Sequence, residues 1–282
     1  LNLAYPSINE EMQAGLANDY KEGGWLPEWS SPGYANIMVG NNSASVVADA
    51  YIKGLRGYDT ETLWKALVNG ANNEGPMTAV GRAGAPYYNK LGYVPYDVGV
   101  NESAARTLEY AYDDFCAYNL AKMTGNSFYE NVFGRQMYNY KNVWDDSVGF
   151  MRGRKANGSW VEDFDAYEWG GPFTEGNAWH YVWSVFQDPK GLINLMGGEQ
   201  QFNTKMDSVF SVPNTVHVGT YGGKIHEMRE MELADMGQYA HGNQPIQHMI
   251  YLYNYSGQPW KTQNRARQVM SKLYNYTENG YP

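Results

Sequence analysis

The sequence predicts an all-α fold, a toroid or stack of helical hairpins, on three observations. Between Val100 and Met123, apolar residues recur at Ala104, Leu108, Ala111, Tyr112, Phe115, Cys116, Leu120 and Met123, the spacing of a helix with one buried face. Similar patterns over Ala44 to Leu55 and Thr60 to Asn69 flank Gly57-Tyr58-Asp59, which reads as an antiparallel helical pair with a short turn. Helical segments then go on alternating with loops along the rest of the chain.

Each element has a local reason. Ile8 to Tyr20 opens the series, and the helix ending at Met123 is stopped by Thr124-Gly125-Asn126 before Ser127 to Tyr138 begins. Gly176 to Phe186, Glu199 to Val209, Gln244 to Tyr253 and Gln258 to Tyr274 complete the helical set. Three long loops, Gly70 to Asp97, Asn139 to Thr174 and Ser211 to Gly242, are Gly-rich and carry polar side chains beside aromatics, so chemistry is expected in them. Asn157-Gly158 is a hairpin turn signal, and short strands are expected around it. No stretch of Pro, Ser or charge repeats divides the chain, so residues 1–282 read as a single domain with no internal linker.

Composition narrows the function. The 282 residues are 43% hydrophobic and 18% charged, enough for a sizeable core. A net charge of −9 without a basic block argues against nucleic acid, whose phosphates reward cationic surfaces. No run approaches the roughly 18 apolar residues of a membrane span. Leu1-Asn2-Leu3-Ala4-Tyr5-Pro6 has neither an initiator Met nor a signal-peptide pattern, and the chain reads as cut from something longer. Cys116, the only cysteine, excludes an internal disulfide and a thiolate metal cluster and reads as a small core residue. The 25 Tyr and 9 Trp cluster with Gly, Asn and Gln, as in a carbohydrate cleft, where aromatic faces stack on sugar rings and polar tips bond to hydroxyls.

The strongest candidate for chemistry is Thr174-Glu175-Gly176-Asn177-Ala178-Trp179. Trp169, Phe173, Trp179, Tyr181 and Trp183 can keep water from Glu175 and raise its pKa, as a proton donor working near neutrality requires. A helix N-terminus there pushes the other way by favouring the carboxylate. Thr174 and Glu175 also read simply as a helix cap. His241-Gly242-Asn243-Gln244-Pro245 suits hydroxyl recognition or oxygen ligation of a hard cation, and equally a loop capping a helix. His241 and His248 lack the metalloprotease spacing, so zinc is not expected. Asp113 and Asp114 point about 100° apart on one helix and are expected to face solvent or anchor a loop. Arg152-Gly153-Arg154 suits gripping a carboxylate or phosphate, or anchoring its own loop.

Several motifs carry a resemblance: Trp25-Leu26-Pro27-Glu28-Trp29, Ala48-Asp49-Ala50-Tyr51-Ile52-Lys53-Gly54, Thr107-Leu108-Glu109-Tyr110-Ala111-Tyr112-Asp113-Asp114, Gly149-Phe150-Met151-Arg152-Gly153-Arg154, Thr174 to Trp179, Gly191 to Gly198 and His241 to Pro245. Together and in this order they resemble glycoside hydrolase family 92, largely bacterial, calcium-dependent exo-α-mannosidases. The family has an N-terminal β-sandwich followed by an (α/α)6 barrel, and this chain resembles a large portion of the barrel alone, with the sandwich absent. The resemblance implies inverting hydrolysis of terminal α-mannose, with Glu175 as general acid and the base in a motif directly after Gly280-Tyr281-Pro282. It implies a mannose-containing glycan contacted by Asn177, Trp179, His180, Trp169 and His241, and calcium held in part by Asn243 and Gln244. Two departures stand out: Gln244 replaces the family's usual Glu, which should weaken calcium, and His180 stands where Gln is common. Without its base the isolated chain is expected to be inactive, the alternative being a silent mannose-binding or structural fragment. The rest of its polypeptide, or another chain, is expected to cover exposed helix faces. The implied location is the bacterial periplasm, the cell surface or the exterior.

Overall fold

A computed structural model describes residues 3–29 and 33–277. The junction after Gly280-Tyr281-Pro282, where the family's base motif is expected, lies outside the described residues. The chain forms two compact units. The first runs to Val143 and includes Arg154–Ser159, and the second comprises Trp144–Gly153 and the chain from Trp160 onward.

The first unit contains α1 (Pro6–Gly23), α2 (Ser43–Ile52), α3 (Thr60–Asn72), α4 (Ala85–Leu91), α5 (Ser103–Met123), α6 (Ser127–Gln136) and a 3-10 turn at Asn139–Val143. The expected α2–α3 pair is present. Asp59 begins α3 by accepting a hydrogen bond from the Thr62 amide at 3.0 Å, and Asn126 begins α6 by accepting one from Tyr129 at 3.3 Å. The central helix is α5, which packs against α2, α3 and α6. Cys116 and Leu120 of α5 join Ala48, Leu63 and Leu67 in one buried cluster. One expected loop, Gly70 to Asp97, contains α4, a short helix with Pro86 in its first turn and Gly92 at its end.

Because α5 is covered on several sides, Asp113 and Asp114 do not face solvent. Both are buried, so the anchoring half of the expectation stands and the solvent-facing half fails. Asp114 accepts from Arg82 Nη1 and from the Tyr88 hydroxyl, each at 2.7 Å, and Asp113 accepts from the Asn41 amide at 2.8 Å. Burial on this scale is tolerable only with such partners.

The second unit begins with the antiparallel pair β1 (Trp144–Asp145) and β2 (Phe150–Met151), with Trp144 opposite Met151. It continues with α7 (Ala178–Tyr181), α8 (Pro189–Leu195), α9 (Glu199–Val209), a 3-10 turn at Gly219–Tyr221, α10 (His226–Ala234), α11 (Gln244–Gln247), a 3-10 stretch at His248–Tyr255 and α12 (Pro259–Leu273). Twelve α-helices and one short hairpin among the described residues place the chain in the expected all-α class.

Three local expectations change. The hairpin turns at Gly149, whose amide donates to Asp145 at 2.8 Å, while Asn157-Gly158 makes an isolated turn closed by Lys155 and Ser159. The helix expected over Gly176 to Phe186 is the single turn α7, because its aromatics are buried on all sides and periodicity had no exposed face to register. The loop Ser211 to Gly242 contains α10, and Gln244 to Tyr253 tightens into 3-10 geometry after one α turn. Arg152 anchors its loop, donating to Asp145 at 2.9 Å and to the Val161 carbonyl, and Arg154 likewise bonds the Gly158 and Asn142 carbonyls.

Candidate active site

The candidate site lies in the second unit and is built on an unusual backbone. Glu175 has φ of 46°, in the left-handed region that a side chain with a Cβ rarely adopts. Two side chains hold it there. Its amide donates to the Tyr221 hydroxyl at 2.6 Å, and its carbonyl accepts from Asn243 Nδ2 at 2.5 Å. Gly176 follows in a tight spot: a Cβ there would lie 3.1 Å from both His180 Nδ1 and the Tyr181 ring, and one of these side chains would have to shift to admit it.

Asn177, rather than Thr174 or Glu175, caps α7. Its Oδ1 accepts from the His180 amide at 3.3 Å, and its Nδ2 donates to Gln238 Oε1 at 2.9 Å. Gln238 in turn donates to the carbonyls of Pro213 and Thr215, and its own carbonyl pairs with His180 Nε2 at 3.1 Å. His180 is fully buried, and burial lowers its pKa to about 3. The neutral ring therefore donates from Nε2 to Gln238, leaving Nδ1 to face Asn243 Nδ2 at 3.4 Å. Thus His180, Asn177, Gln238 and Asn243 form a buried frame behind Glu175.

Trp169, Phe173, Trp179, Tyr181 and Trp183 are all buried. Trp169 lies edge-on to His180, with 4.9 Å between ring centroids, and Trp179 lies edge-on to Phe150 at the same distance. The indole N–H groups of Trp169 and Trp179 are buried without a protein partner. Neither N–H has accessible surface, so Trp169 and Trp179, expected at the sugar, are placed by the structure in the core instead of on an open face.

The Glu175 carboxyl is partly buried and its pKa is raised, first by loss of solvent and next by the nearby Glu227 charge, with His226 acting in the opposite sense. Asn177, two residues on, occupies the cap, so the helix terminus does not reverse this balance. Glu227 and His226 were missed in the sequence reading because they fell within an expected loop; the signal was His226 and Glu230 spaced one helical turn apart. His226 Nε2 lies 2.7 Å from Glu227, and its Nδ1 lies 3.0 Å from Glu230. Glu227 and Glu230 line a cleft of about 200 Å³ together with His241 and Asn243. His241 is held from both sides, Nδ1 by the Tyr239 hydroxyl at 2.8 Å and Nε2 by the Tyr274 hydroxyl at 2.9 Å. A carboxyl whose pKa is raised holds its proton to higher pH than a free one, as a group that donates a proton to a bound oxygen must.

The donor set for calcium is small. Asn243 Oδ1 is a buried oxygen without a partner, which suits a hard cation, but Gln244 is exposed at the start of α11. Among the described residues no group of three His, Cys, Asp or Glu could hold a metal ion. Two amide oxygens fall short of the six to eight oxygens calcium takes, so these residues do not by themselves fit calcium.

The first unit contains a separate acidic group that composition did not reveal. Glu28 accepts from the amide and the side chain of Asn42 at 2.8 and 2.9 Å. Burial raises Glu28 to about 7 and Glu109 to about 8, with the Glu28 charge adding to the rise of Glu109, and burial also raises Asp113, with Arg82 opposing and Glu28 and Glu109 adding.

Comparison with known proteins bears on all of this. The profile of the glycosyl hydrolase family 92 catalytic domain matches residues 1–282. The fold is similar to that of an inverting mannosidase of family GH92 from Bacteroides thetaiotaomicron, with a TM-score of 0.88, 48% identity, and coverage of 98% of this chain and 38% of that one. A second α-mannosidase of the family from that organism, in complex with mannoimidazole, aligns with a TM-score of 0.85 and 31% identity over 97% of this chain and 35% of its own. An uncharacterized secreted glycosidase of Arthroderma benhamiae is 28% identical over 95% of this chain and 36% of its own length. The chain therefore spans little more than a third of the relatives it matches.

Proposed function

For a chain that belongs to glycosyl hydrolase family 92, we propose that the whole protein is an exo-acting α-mannosidase and that Glu175 is its proton donor. The observation that carries the reading is Glu175 itself, a carboxyl with a raised pKa in a left-handed backbone held by Tyr221 and Asn243. The likeness to an inverting mannosidase supports both the sugar and the stereochemistry.

In this mechanism Glu175 protonates the glycosidic oxygen as its bond to the anomeric carbon breaks. Water attacks from the opposite face, losing its proton to a base supplied from outside this chain, and the configuration inverts. Trp169 and Trp179 form part of the dry core behind the site, and the His180 frame fixes the backbone that aims Glu175. His241 and Asn243 border the cleft beside it. Calcium, in this proposal, is held with ligands beyond those of this chain, and no step is assigned to it. The isolated 282-residue chain is inactive for want of the base. Exposed Tyr251, Tyr255, Trp260 and Met270 in the second unit are covered by the rest of the polypeptide. A secreted relative supports action outside the cytoplasm, and no described helix is long and apolar enough to cross a membrane.

The test is Glu175→Gln in the full-length protein. Hydrolysis of an unactivated α-mannobioside should fall by about 10²–10⁴-fold, while an aryl α-mannoside with a good leaving group loses much less. Equal retention of both activities would remove Glu175 from the reaction.

A further inference from the structure

Helix α9 carries an amine in a setting that lysines seldom occupy. Phe202, Met206 and Val209 form the buried side of α9, and Lys205 lies at the edge of that side, three residues after Phe202 and four before Val209. A lysine there ordinarily carries its ammonium out to water or to a carboxylate. Lys65 does so with Glu61 at 2.7 Å, and Lys53 with Asp49 at 2.8 Å. Lys205 instead lays its Nζ 3.3 Å from the centroid of the Phe150 ring and 5.3 Å from that of Trp179. Among the described residues it donates no hydrogen bond and meets no carboxylate.

The charged groups of the elements around it are committed elsewhere. In the hairpin Asp145 pairs with Arg152 at 2.9 Å, and on α9 itself Asp207 accepts from the Tyr253 hydroxyl at 2.8 Å and pairs with Lys261. His180 of α7 is buried and neutral. The ring faces attract an ammonium but do not replace the hydrogen bonds it gives up to water, so desolvation, unopposed by any charge, lowers Lys205 from the ordinary 10.5 to about 8. The amine is nevertheless open to a small molecule. Lys205 is partly exposed, and its nitrogen keeps accessible surface. Gly149 turns the hairpin beside it, and the place a Cβ would take there is open, with Lys205 Nζ, at 3.8 Å, the nearest atom outside the adjoining residues. A desolvated, unpaired lysine with room at its nitrogen has the properties of a Schiff-base amine.

We infer that Lys205 is a site of covalent modification, an amine that condenses with small aldehydes entering over Gly149, the open-chain form of a reducing sugar among them. The lone pair of the neutral amine forms a C–N bond to the carbonyl carbon while the carbonyl π pair moves to oxygen. A proton passes from nitrogen to that oxygen, and loss of water leaves an imine; no oxidant or reductant takes part. The site stands apart from the role given to Glu175, and only the supply of sugar rests on that reading. The experiment incubates the full-length protein with glyceraldehyde and sodium cyanoborohydride, which reduces the imine to a stable amine, and maps labelled peptides by mass spectrometry. At pH 7 a pKa near 8 leaves about a tenth of the amine neutral, against less than about a thousandth for an ordinary lysine. Lys205 should therefore label at least about tenfold faster than Lys65, whose pKa Glu61 raises. Between pH 7 and pH 9.5 that lead should shrink by about tenfold or more, as ordinary lysines begin to lose their protons. D-Mannose, with little of its open-chain form present, should label in the same order but more slowly. The readout is labelling rather than hydrolysis, so it is indifferent to whether Glu175 is the acid. Lys205 labelling no faster than Lys65 with either aldehyde overturns the inference, and so does a lead that stays constant with pH, which would reflect access alone.

Discussion

Tyr221→Phe tests whether the backbone clamp at Glu175 matters for turnover. The Tyr221 hydroxyl accepts from the Glu175 amide at 2.6 Å, and Asn243 holds the carbonyl of the same residue. A left-handed conformation costs a residue with a Cβ about 1–2 kcal/mol, and one hydrogen bond contributes about 1 kcal/mol. Losing the hydroxyl therefore removes about half of what opposes relaxation to an ordinary backbone. If only molecules in the clamped geometry react, about 1 kcal/mol corresponds to about a fivefold fall in kcat. KM should hardly change, because binding groups elsewhere in the cleft are untouched. Steady-state kinetics on an aryl α-mannoside, with thermal unfolding alongside, separate this effect from global damage. Asn243→Ala should compound it, since both residues hold the same peptide unit. Wild-type kcat in Tyr221→Phe, or a loss confined to KM, would refute the reasoning.

Three other outcomes are expected. Glu227→Gln removes the charge that helps to raise Glu175, so Glu175 should ionise at lower pH and the alkaline limb of kcat/KM should move acidward; an unmoved limb would disconnect the two carboxylates. Burial lowers His180 to about 3 and His248 to about 4, below the ordinary value of 6.5, so the unfolded chain binds protons that the folded one refuses. Their contribution is present above pH 6.5 and is lost as pH falls toward the folded values, and urea titrations of His180→Gln should show a shallower loss over that window. Glu109 is raised to about 8 from an ordinary 4.5, the reverse case: its carboxyl is harmless below pH 4.5 and destabilises increasingly as pH rises through 8. Glu109→Gln should therefore match the wild-type Tm near pH 5 and exceed it near pH 9, and parallel Tm curves would contradict this.

The helices that were legible in the sequence are those with one wet face and a clear stop. Gly57-Tyr58-Asp59 and Thr124-Gly125-Asn126 marked the breaks before α3 and α6, where the structure shows Asp59 and Asn126 as caps, and Leu108, Cys116 and Leu120 marked α5 by spacing. Where both faces are buried, as from Ala178 to Trp183, periodicity had nothing to contrast and overstated the helix. Short helices such as α4 and α10 were lost inside Gly-rich stretches because a few residues carry too little pattern.

Residue types alone determined that the stretch around Glu175 contributes rings to the core, because Trp169, Phe173, Trp179, Tyr181 and Trp183 are its sequence neighbours and hydrophobic burial takes all five out of water. Which way that carboxyl's pKa would move was decided by tertiary structure. Asn177 takes the cap that would have favoured the charged form, and Glu227 arrives from α10 to oppose ionisation. Asn243 turns from a candidate ligand into a clamp on the Glu175 carbonyl, 68 positions away in sequence. Likewise Asp113 and Asp114 are adjacent carboxylates in any reading of the chain, and only the helices around α5 decide that both are buried and paired. Charge and polarity belong to the residue, whereas desolvation and hydrogen-bond partners depend on distances that the folded chain alone sets.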